Sequence, residues 1–335
     1  MMNVVITGGA GFLGSRLTEV LITQGSLSAD GSAPRELNRI TLLDQVTLPA
    51  ERLCDPRLVS VAVDLATVTA AELAAREPFA SADVIFHLAA SVSAESEADF
   101  DLGMRANLHG GQAVLEAARQ AGRTPVLVFA SSLAVFGQWP DQPLPSVIGD
   151  STLPTPRSSY GIQKFITEQL VTDYTRKGFI NGRSVRLMTV AVRPGRPNGA
   201  ASSFLSSIIR EPLAGEPAVC PVSPDLEVAL SSPESAIAGL IAAATTPRSV
   251  WGSPLAVNLP AVHTTVGAMT DALAAVAGDD ARKLIEWRPD DQIAAVVGGW
   301  PAHFESTRAK ALGLTAEPDF ETVVRRYQAQ YRPGR

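Results

Sequence analysis

The stretch Val4-Val5-Ile6-Thr7-Gly8-Gly9-Ala10-Gly11-Phe12-Leu13-Gly14 decides the fold. An apolar, β-branched run leads directly into a glycine turn, and the residues that follow begin a helical pattern. The three glycines at positions 8, 11 and 14 suit a tight turn, a close phosphate approach and helix packing. The helix N-terminus would then face a pyrophosphate. The stretch predicts a dinucleotide site with cofactor contacts from Gly8, Gly11, Phe12, Leu13 and Gly14.

Outward from this stretch, short apolar runs alternate with longer helical patterns, which is typical of βαβ units. Strands are predicted at 3–7, 40–44, 58–63, 83–88, 126–131 and 185–190, all buried on both faces. Helices are predicted at 12–23, 98–120 and 159–176, and the polar or proline-rich insertions 25–38 and 137–157 are predicted loops. The fold class is therefore α/β, a doubly wound parallel sheet of Rossmann type.

After residue 192, six prolines between positions 194 and 224 break the pattern into pieces too short for long helices. We expect a smaller C-terminal lobe here that binds the substrate. The Rossmann domain is assigned to 1–192, with returning segments near 226–260. The lobe is assigned to 193–225 and 261–335.

Composition excludes several classes of protein. The 335 residues are 46 % hydrophobic and 19 % charged, which excludes a disordered chain. The formal charge of −6 disfavours nucleic acid as a partner. Cys54 and Cys220 are too far apart in sequence to suggest a disulfide framework or a cysteine metal site. No apolar run approaches the roughly 20 residues of a membrane span, so no membrane partner and a cytoplasmic location are expected.

Acidic residues at two predicted strand ends bear on the choice of cofactor. Asp44 closes the run Ile40-Thr41-Leu42-Leu43, where a carboxylate accepts hydrogen bonds from ribose hydroxyls and repels a 2′-phosphate. This favours NAD over NADP, although a solvated strand-end acid would look the same. Asp64 and Leu65 close the third strand and are predicted to contact the adenine. A turn-initiating aspartate is the alternative for Asp64.

Tyr160 and Lys164 form the candidate catalytic pair. Their spacing of four residues places both on one helix face. A free tyrosine has a pKa near 10, and a nearby lysine cation and a positive nicotinamide ring both favour the phenolate. We therefore expect a lowered pKa for Tyr160, a phenolate that accepts an alcohol proton, and contact of both residues with the cofactor.

Together with the glycine stretch, three further motifs occur in the order found in extended short-chain dehydrogenases/reductases, the NAD-dependent epimerase/dehydratase family. These are His87-Leu88-Ala89-Ala90, Ser131-Ser132-Leu133-Ala134-Val135-Phe136-Gly137 and Tyr160-Gly161-Ile162-Gln163-Lys164. The chain resembles this family over nearly its whole length. The resemblance implies that Ser132, rather than Ser131, orients the substrate, and that Ala89 and Ala90 pass under the cofactor. It implies a helix-kinking Asn107 that holds a water in a proton relay, with an ordinary buried asparagine as the alternative.

The resemblance also implies a homodimer, formed through the helices at 98–120 and 159–176. The remaining candidate residues are histidines. His87 lies within a strand and is interpreted as structural rather than catalytic. His109, His263 and His303 share no metal-ligand spacing, so no metal is predicted.

The substrate is indicated by one missing motif and one motif that is present. Most extended members act on nucleotide sugars and carry an Arg-Asp-Phe-Val-His-Val strand that grips a diphosphate. This chain has Leu226-Glu227-Val228-Ala229-Leu230-Ser231 instead. The segment from residue 192 to 213 is rich in small and hydroxyl residues, and its arginines suit one carboxylate. Its candidate substrate contacts, with Ser132 and Tyr160, are Arg193, Arg196, Ser202, Ser203 and Arg210.

These segments resemble the sugar-acid branch of the family. That resemblance implies NAD-dependent oxidation of the C2 hydroxyl of a small polyhydroxy acid. Two alternatives stay open: a nucleotide-sugar 4-epimerase or dehydratase with tightly held NAD, and a non-enzymatic NAD-sensing protein.

Overall fold

The computed structural model describes residues 1–195 and 200–331, and its centre is a parallel sheet of Rossmann type. From one edge, its strands are Val257–Asn258, Asn181–Leu187, Val126–Ser132, Val84–His87, Met2–Thr7 and Arg35–Asp44. Leu58–Ala62 pairs in parallel with Arg35–Asp44, and Ser26–Leu27 pairs antiparallel with the same strand, Arg35–Asp44. The expected α/β fold class is confirmed.

Helices cover both faces of this sheet because its strands alternate apolar side chains between them. Ile6 and Ile40 pack on one face against the helices Phe12–Gln24 and Pro233–Thr245. Val5 packs on the opposite face against residues of Gly110–Ala121. This double burial explains why the strands are continuous apolar runs rather than alternating ones.

A separate apolar cluster lies in the C-terminal part of the chain. The helices Phe204–Leu213, Val266–Ala277 and Phe320–Gln330 contribute to it through Leu205, Leu273 and Val324. Its strands are Thr189–Val190, Glu227–Ser231, Val262–Thr265, Ala218–Cys220 and Ile285–Trp287. Glu227–Ser231, expected with the returning Rossmann segments, thus pairs in a small three-stranded sheet instead of the main sheet.

The remaining elements are short. The helices are Ala70–Ala74, Glu77–Ser81, Ser93–Ala98, Phe100–Gly103, Arg248–Trp251, Asp279–Arg282, Asp291–Val297 and Thr307–Ala311, with 3-10 turns at Ala50–Arg52 and Leu133–Val135. The strand Ile148–Gly149 pairs with Phe304–Glu305. Within the described residues, no helix combines the length and apolarity that a membrane crossing requires.

Several predicted boundaries are wrong for identifiable reasons. The helix expected at 98–120 begins at Phe100 and contains a π-helical turn, Met104–His109, which the helical periodicity does not reveal. The insertion 25–38 is not a loop, since its ends form a β-hairpin. Asp30 in this hairpin accepts a hydrogen bond from the buried Arg183 guanidinium. Leu58–Ala62 is an edge strand and is only partly buried.

Other predictions agree closely with the structure. The helix Ser159–Arg176 has the predicted bounds, and Gly122 ends the preceding helix with a φ of 68°.

In the C-terminal part, Pro212 lies inside a ten-residue helix, Phe204–Leu213, whereas the proline spacing predicted only short pieces there.

Candidate active site

A cleft of about 780 Å³ follows the carboxyl ends of the parallel strands. Parallel α/β sheets bind ligands at this edge, and the volume lies within the ordinary range for ligand clefts. We call one end the glycine end, defined by residues 8–14, Asp44, Asp64 and Leu65. We call the other the tyrosine end, defined by Ser132, Tyr160, Thr189, Arg193, Ser202 and Trp300. Every residue predicted to contact the cofactor lines this cleft, including Ala89, Ala90 and Lys164.

At the glycine end, the backbone is so close that side chains are excluded. Gly8 has a φ of 71°, and a Cβ there would lie 2.8 Å from the Ala89 nitrogen. A Cβ on Gly14 would lie 2.2 Å from the Gly8 oxygen. Gly11 caps the helix Phe12–Gln24 without any side-chain hydrogen bond, so the first amides of the helix remain free to bind an anion. These residues fit a pyrophosphate.

Two carboxylates border the glycine end. Asp44 accepts hydrogen bonds from the backbone nitrogens of Ala10, at 3.0 Å, and Gln45, at 2.8 Å. Asp64 accepts from the Ala66 nitrogen, at 2.9 Å, and the Gln45 side chain, at 3.1 Å. A carboxylate has about four acceptor positions, so both side chains retain capacity for hydroxyl or amino donors. Their arrangement fits the adenosine part of a dinucleotide.

Tyr160 stands at the centre of the tyrosine end, near the start of the helix Ser159–Arg176. Burial raises the pKa of its phenol to about 12, while the Ser132 hydrogen bond and the Arg193 charge act in the opposite direction. The expectation of a lowered pKa is therefore wrong for the protein alone. Desolvation disfavours the phenolate more than the neighbouring groups favour it.

Lys164 lies one helical turn from Tyr160 and is 3 % exposed. Its ammonium donates to the Ala130 carbonyl at 2.9 Å and lies 5.6 Å from the centre of the Tyr160 ring. Burial lowers the pKa of Lys164 to about 7, and the negative charge of Glu168 opposes this change. Glu168 itself is held by Arg186 in a buried ion pair of 2.7 Å. The buried cation is thus supported from the next turn of the same helix.

Ser131 and Ser132, the last two residues of the strand Val126–Ser132, have different hydrogen-bond partners. Ser131 is buried and donates to Glu168, although it also borders the cleft. Ser132 lines the cleft, accepts a hydrogen bond from the Ala134 nitrogen at 3.1 Å and bears on the Tyr160 phenol. Because Glu168 engages the Ser131 hydroxyl and Ser132 lies beside Tyr160, Ser132 is the better placed of the two, and its role in orienting the substrate stays a prediction.

Asn107 lies in the π-helical turn, but its side chain is outside the described lining of the cleft. Its amide oxygen accepts from the Ser91 nitrogen at 2.8 Å, and its amide nitrogen donates to Gln163 at 2.8 Å. Further contacts to Ser91 and Ser96 use the remaining hydrogen-bonding capacity. The predicted helix irregularity is present at Asn107, its side chain holds neighbouring segments together, and its role in a proton relay stays a prediction.

The structure also defines the surroundings of the histidines. His87 is buried, its Nδ1 lies 2.7 Å from the Thr7 hydroxyl, and burial lowers its pKa to about 3. A neutral, hydrogen-bonded imidazole of this kind agrees with a structural role. His263 and His303 meet at Glu227, so the linear spacing that argued against any shared ligand arrangement was misleading for this pair.

The candidate substrate residues separate into two groups. Arg193 and Ser202 line the cleft, and Ser203 does not. Arg210 is turned away from the cleft, since it donates to the Arg193 carbonyl at 2.7 Å, Ser207 at 3.0 Å and Glu211 at 2.6 Å. Substrate contact by Ser203 and Arg210 is therefore not supported by the geometry. Arg196 lies outside the described residues.

Arg193 is the cation of the tyrosine end. Its side chain has no hydrogen-bond or ion-pair partner among residues 1–195 and 200–331, although its backbone nitrogen donates to Ser206 at 3.0 Å. Burial and the neighbouring Arg210 lower the pKa of Arg193, and Tyr160 opposes this shift. Among the described residues, the guanidiniums of Arg193 and Arg210 have one ion-pair partner, Glu211, which leaves an excess of positive charge beside Tyr160.

Sequence reasoning missed Thr189 and Trp300, which also line the tyrosine end. Thr189 follows the strand Asn181–Leu187, so its place at a strand end was an available signal. Trp300 follows the helix Asp291–Val297, and no local motif connects it with Tyr160.

The glycine loop and the Ser132, Tyr160 and Lys164 set are arranged as in an enzyme of the short-chain dehydrogenase type. The chain belongs to the NAD dependent epimerase/dehydratase family, whose family model matches residues 4–228. The expected family and Rossmann fold are thereby confirmed.

Full-length relatives refine this assignment. The chain is 44 % identical to D-erythronate dehydrogenase from Cupriavidus necator, over 97 % of this chain and 98 % of that protein. It is 41 % identical to D-erythronate dehydrogenase from Haemophilus influenzae with the same coverage. These relatives identify the chain as a dehydrogenase. A solved structure of a nucleoside-diphosphate-sugar epimerase from Agrobacterium tumefaciens has a TM-score of 0.89 and 40 % identity, covering 98 % of this chain and 94 % of that one.

Proposed function

We propose that the chain oxidises the C2 hydroxyl of D-erythronate to the 2-oxo acid, 2-oxo-tetronate, with NAD as the acceptor. The observation that carries this proposal is the Arg193 guanidinium, which has no partner among the described residues and lies beside Tyr160 in the cleft. The two full-length relatives named as D-erythronate dehydrogenases support the same substrate.

The position of this cation favours a 2-hydroxy acid. In such a substrate, the carboxylate is attached directly to the carbon that is oxidised, so its anchor must lie beside the catalytic tyrosine. The diphosphate of a nucleotide sugar lies several bonds from the reacting carbon and would need a cation farther away. A planar guanidinium also matches a carboxylate through two parallel hydrogen bonds.

The chemistry of the protein side follows from three groups. Tyr160 accepts the proton of the C2 hydroxyl at its phenolic oxygen, while Ser132 hydrogen-bonds the same substrate oxygen. Arg193 holds the carboxylate and so fixes which hydroxyl meets Tyr160. Ser202 and Thr189 offer hydroxyls to the rest of the polyhydroxy chain from the cleft wall.

The glycine end fits NAD. Residues 8–14 would hold the pyrophosphate, and Asp44 the adenosine ribose, where its charge disfavours a 2′-phosphate. Ala89, Ala90 and Lys164 would hold the nicotinamide part. When bound, NAD supplies the hydride acceptor for C2 and a positive ring that lowers the pKa of Tyr160. Burial has raised that pKa to about 12, so the phenolate depends on added positive charge.

The direct test is NADH formation, followed at 340 nm, with C4 to C6 aldonates and, in parallel, UDP-sugars. We expect turnover with erythronate and a loss of about 10²- to 10⁴-fold in kcat for Tyr160→Phe, because the proton acceptor is removed. Tyr174→Phe is the matched control, since the Tyr174 hydroxyl bonds Glu116 away from the cleft. NAD titration of Tyr160→Phe shows that the cofactor site persists.

Two other outcomes would each reject the proposal. Conversion of a UDP-sugar without net NADH would establish the nucleotide-sugar epimerase that the name of the Agrobacterium relative suggests. Tight NAD binding with no turnover of any substrate would leave the NAD-sensing alternative.

We further propose a cytoplasmic homodimer. The helices Phe100–Gly103 and Ser159–Arg176 expose Phe100, Ile162 and Ile166, which are 61 %, 44 % and 39 % exposed. An outward apolar face on adjacent helices favours association with a second copy. Light scattering should show a dimer that the double variant Ile162→Asp/Ile166→Asp converts to a monomer, whereas Val250→Asp, at another exposed apolar position, leaves it intact. Cell fractionation tests the location.

A further inference from the structure

Three side chains that take no part in the proposed reaction meet at the surface. The Nε2 atom of His263 lies 3.2 Å from one carboxylate oxygen of Glu227, and the Nε2 atom of His303 lies 3.4 Å from the other. The ligand atoms of the three residues all lie within 4.8 Å of one another. We call these residues the His-Glu-His cluster.

The fold brings this cluster together from three separate segments. Glu227 and His263 belong to antiparallel strands in which Ala229 pairs with His263, so Glu227 is the diagonal neighbour of His263 on the same face. His303 comes from the segment before Phe304–Glu305, and its carbonyl is fixed by the Ile148 nitrogen at 2.9 Å. Each ligand is therefore anchored by backbone pairing.

We propose that the His-Glu-His cluster binds a divalent transition-metal ion of the zinc class. Bonds of 2.0–2.2 Å in a tetrahedral zinc site place neighbouring ligand atoms about 3.3–3.5 Å apart. Each imidazole nitrogen lies close to that spacing from one oxygen of Glu227, His263 at 3.2 Å from the first and His303 at 3.4 Å from the second. Two imidazoles and one carboxylate form a ligand set that suits zinc, with water in the open position.

Charge also favours a metal over a simple ion pair. The two imidazole rings lie with centroids 3.8 Å apart and planes inclined by 32°. Two imidazolium cations at this distance would repel each other, and one carboxylate neutralises only one of them. Neutral imidazoles can instead direct lone pairs at a shared cation once the two rings rotate out of this near-stacked arrangement and their Nε2 atoms converge. All three side chains are partly exposed, which leaves a path for the ion.

The location connects the cluster with the tyrosine end. Glu227 borders a small cavity together with Leu133 and Trp300, and both of these also line the main cleft. Trp300 precedes His303 by three residues. A metal bound at His303 therefore ties the segment that carries Trp300 to the small three-stranded sheet.

The test is calorimetric titration of tag-free, metal-stripped protein with ZnCl2, with NiCl2 and MgCl2 in parallel. We expect one Zn²⁺ per chain, also binding of Ni²⁺, and no binding of Mg²⁺, which prefers oxygen ligands. His263→Ala and His303→Ala should each weaken Zn²⁺ binding at least tenfold. His109→Ala is the control, because His109 is exposed but lies outside the cluster.

Two spectroscopic and thermal readouts accompany the titration. Co²⁺ should give the visible absorption of a four-coordinate site in wild type and lose it in His263→Ala. Zn²⁺ should raise the melting temperature of wild type but not that of His303→Ala, while circular dichroism confirms that the variants are folded. Absence of stoichiometric Zn²⁺ binding, or equal binding by wild type and both cluster variants, would overturn the proposal. If wild type and both cluster variants bind Zn²⁺ equally, the Cys54→Ser variant tests whether the exposed thiol of Cys54 binds the metal instead.

Discussion

The glycine end and the tyrosine end of the cleft are built in different ways. At the glycine end, residues 8–14 form one continuous turn, and its crowded backbone leaves no room for a Cβ on Gly8 or Gly14. At the tyrosine end, Ser132, Arg193 and Trp300 come from segments separated by about 60 to 170 residues, and side chains provide the chemistry.

This difference teaches how one family keeps a cofactor while changing substrates. Backbone amides at a helix N-terminus recognise any pyrophosphate, so the glycine end needs only a local sequence. A substrate is recognised by side chains whose positions depend on the packing of the C-terminal cluster. Changes at the tyrosine end should therefore alter substrate use with little effect on NAD binding, and changes at the glycine end should do the reverse.

Among the changes that test this comparison of the two ends, the largest effect is expected from Arg193→Met. Loss of the carboxylate anchor should lower kcat/KM for erythronate about 100-fold, because truncating one partner of a buried charge pair costs about 2–5 kcal/mol. Steady-state kinetics should show most of the loss in KM, with NAD affinity unchanged. Arg210→Met, which removes the support of the Arg193 carbonyl together with the contacts to Ser207 and Glu211, should lose about tenfold. Equal KM values for Arg193→Met and wild type would refute the anchor.

A smaller effect is expected from Gly14→Ala at the glycine end. The new methyl group would meet the Gly8 oxygen, so the turn must shift. Overpacking of this kind costs about 1–3 kcal/mol of stability, and we expect NAD affinity to fall about tenfold while KM for erythronate at saturating NAD is retained. Gly149→Ala is the control, because its Cβ would meet nothing within 4 Å. Fluorescence titration and thermal melts measure both quantities, and unchanged NAD affinity would contradict the tight-turn argument.

A third effect, on stability and not on kinetics, concerns Lys164, which lines the cleft. The pKa of Lys164 is about 7 in the folded protein, below the ordinary 10.5. At pH values between these two, the Lys164 side chain is therefore protonated in the unfolded chain and mostly unprotonated in the folded protein. Wild-type stability attributable to Lys164 should therefore fall as pH decreases from 10 to 7, with a slope of at most about 1.4 kcal/mol per pH unit.

Urea unfolding of wild type and Lys164→Met from pH 7 to 10 measures this difference. Lys164→Met should gain stability relative to wild type as pH decreases, whereas Lys310→Met, at an exposed lysine, should follow wild type. A pH-independent difference between wild type and Lys164→Met would show that the buried ammonium is not destabilised.

Much of the Rossmann half could be predicted from sequence because its signals are local. Apolar runs, the glycine turn and the cap at Gly122 depend on neighbouring residues, and the helix Ser159–Arg176 was predicted to the residue. The hairpin in the insertion 25–38 escaped prediction because its anchor is distant. Asp30 is held there by Arg183, a buried side chain on another strand.

The sequence predicted which residues contact the substrate at the tyrosine end, and tertiary contacts decided which of these residues line the cleft. Arg193 and Arg210 looked equivalent in a segment rich in arginine and serine. Packing of the helix Phe204–Leu213 turned Arg210 toward the Arg193 carbonyl and left the Arg193 side chain in the cleft. The pKa of Tyr160 was likewise predicted with the wrong direction, since burial cannot be read from a motif.

The sequence by itself determined the glycine turn, the Tyr160 and Lys164 spacing and the family, because each is fixed by residues within one or two helical turns. Only the tertiary structure decided which of Arg193 and Arg210 lines the cleft, how strongly burial opposes the Tyr160 phenolate, and that His263 and His303 meet at Glu227. The physical reason is common to all three. Electrostatics and ligand geometry depend on distances between atoms. Folding sets these distances, and they cannot be read from how far apart the residues lie in the sequence.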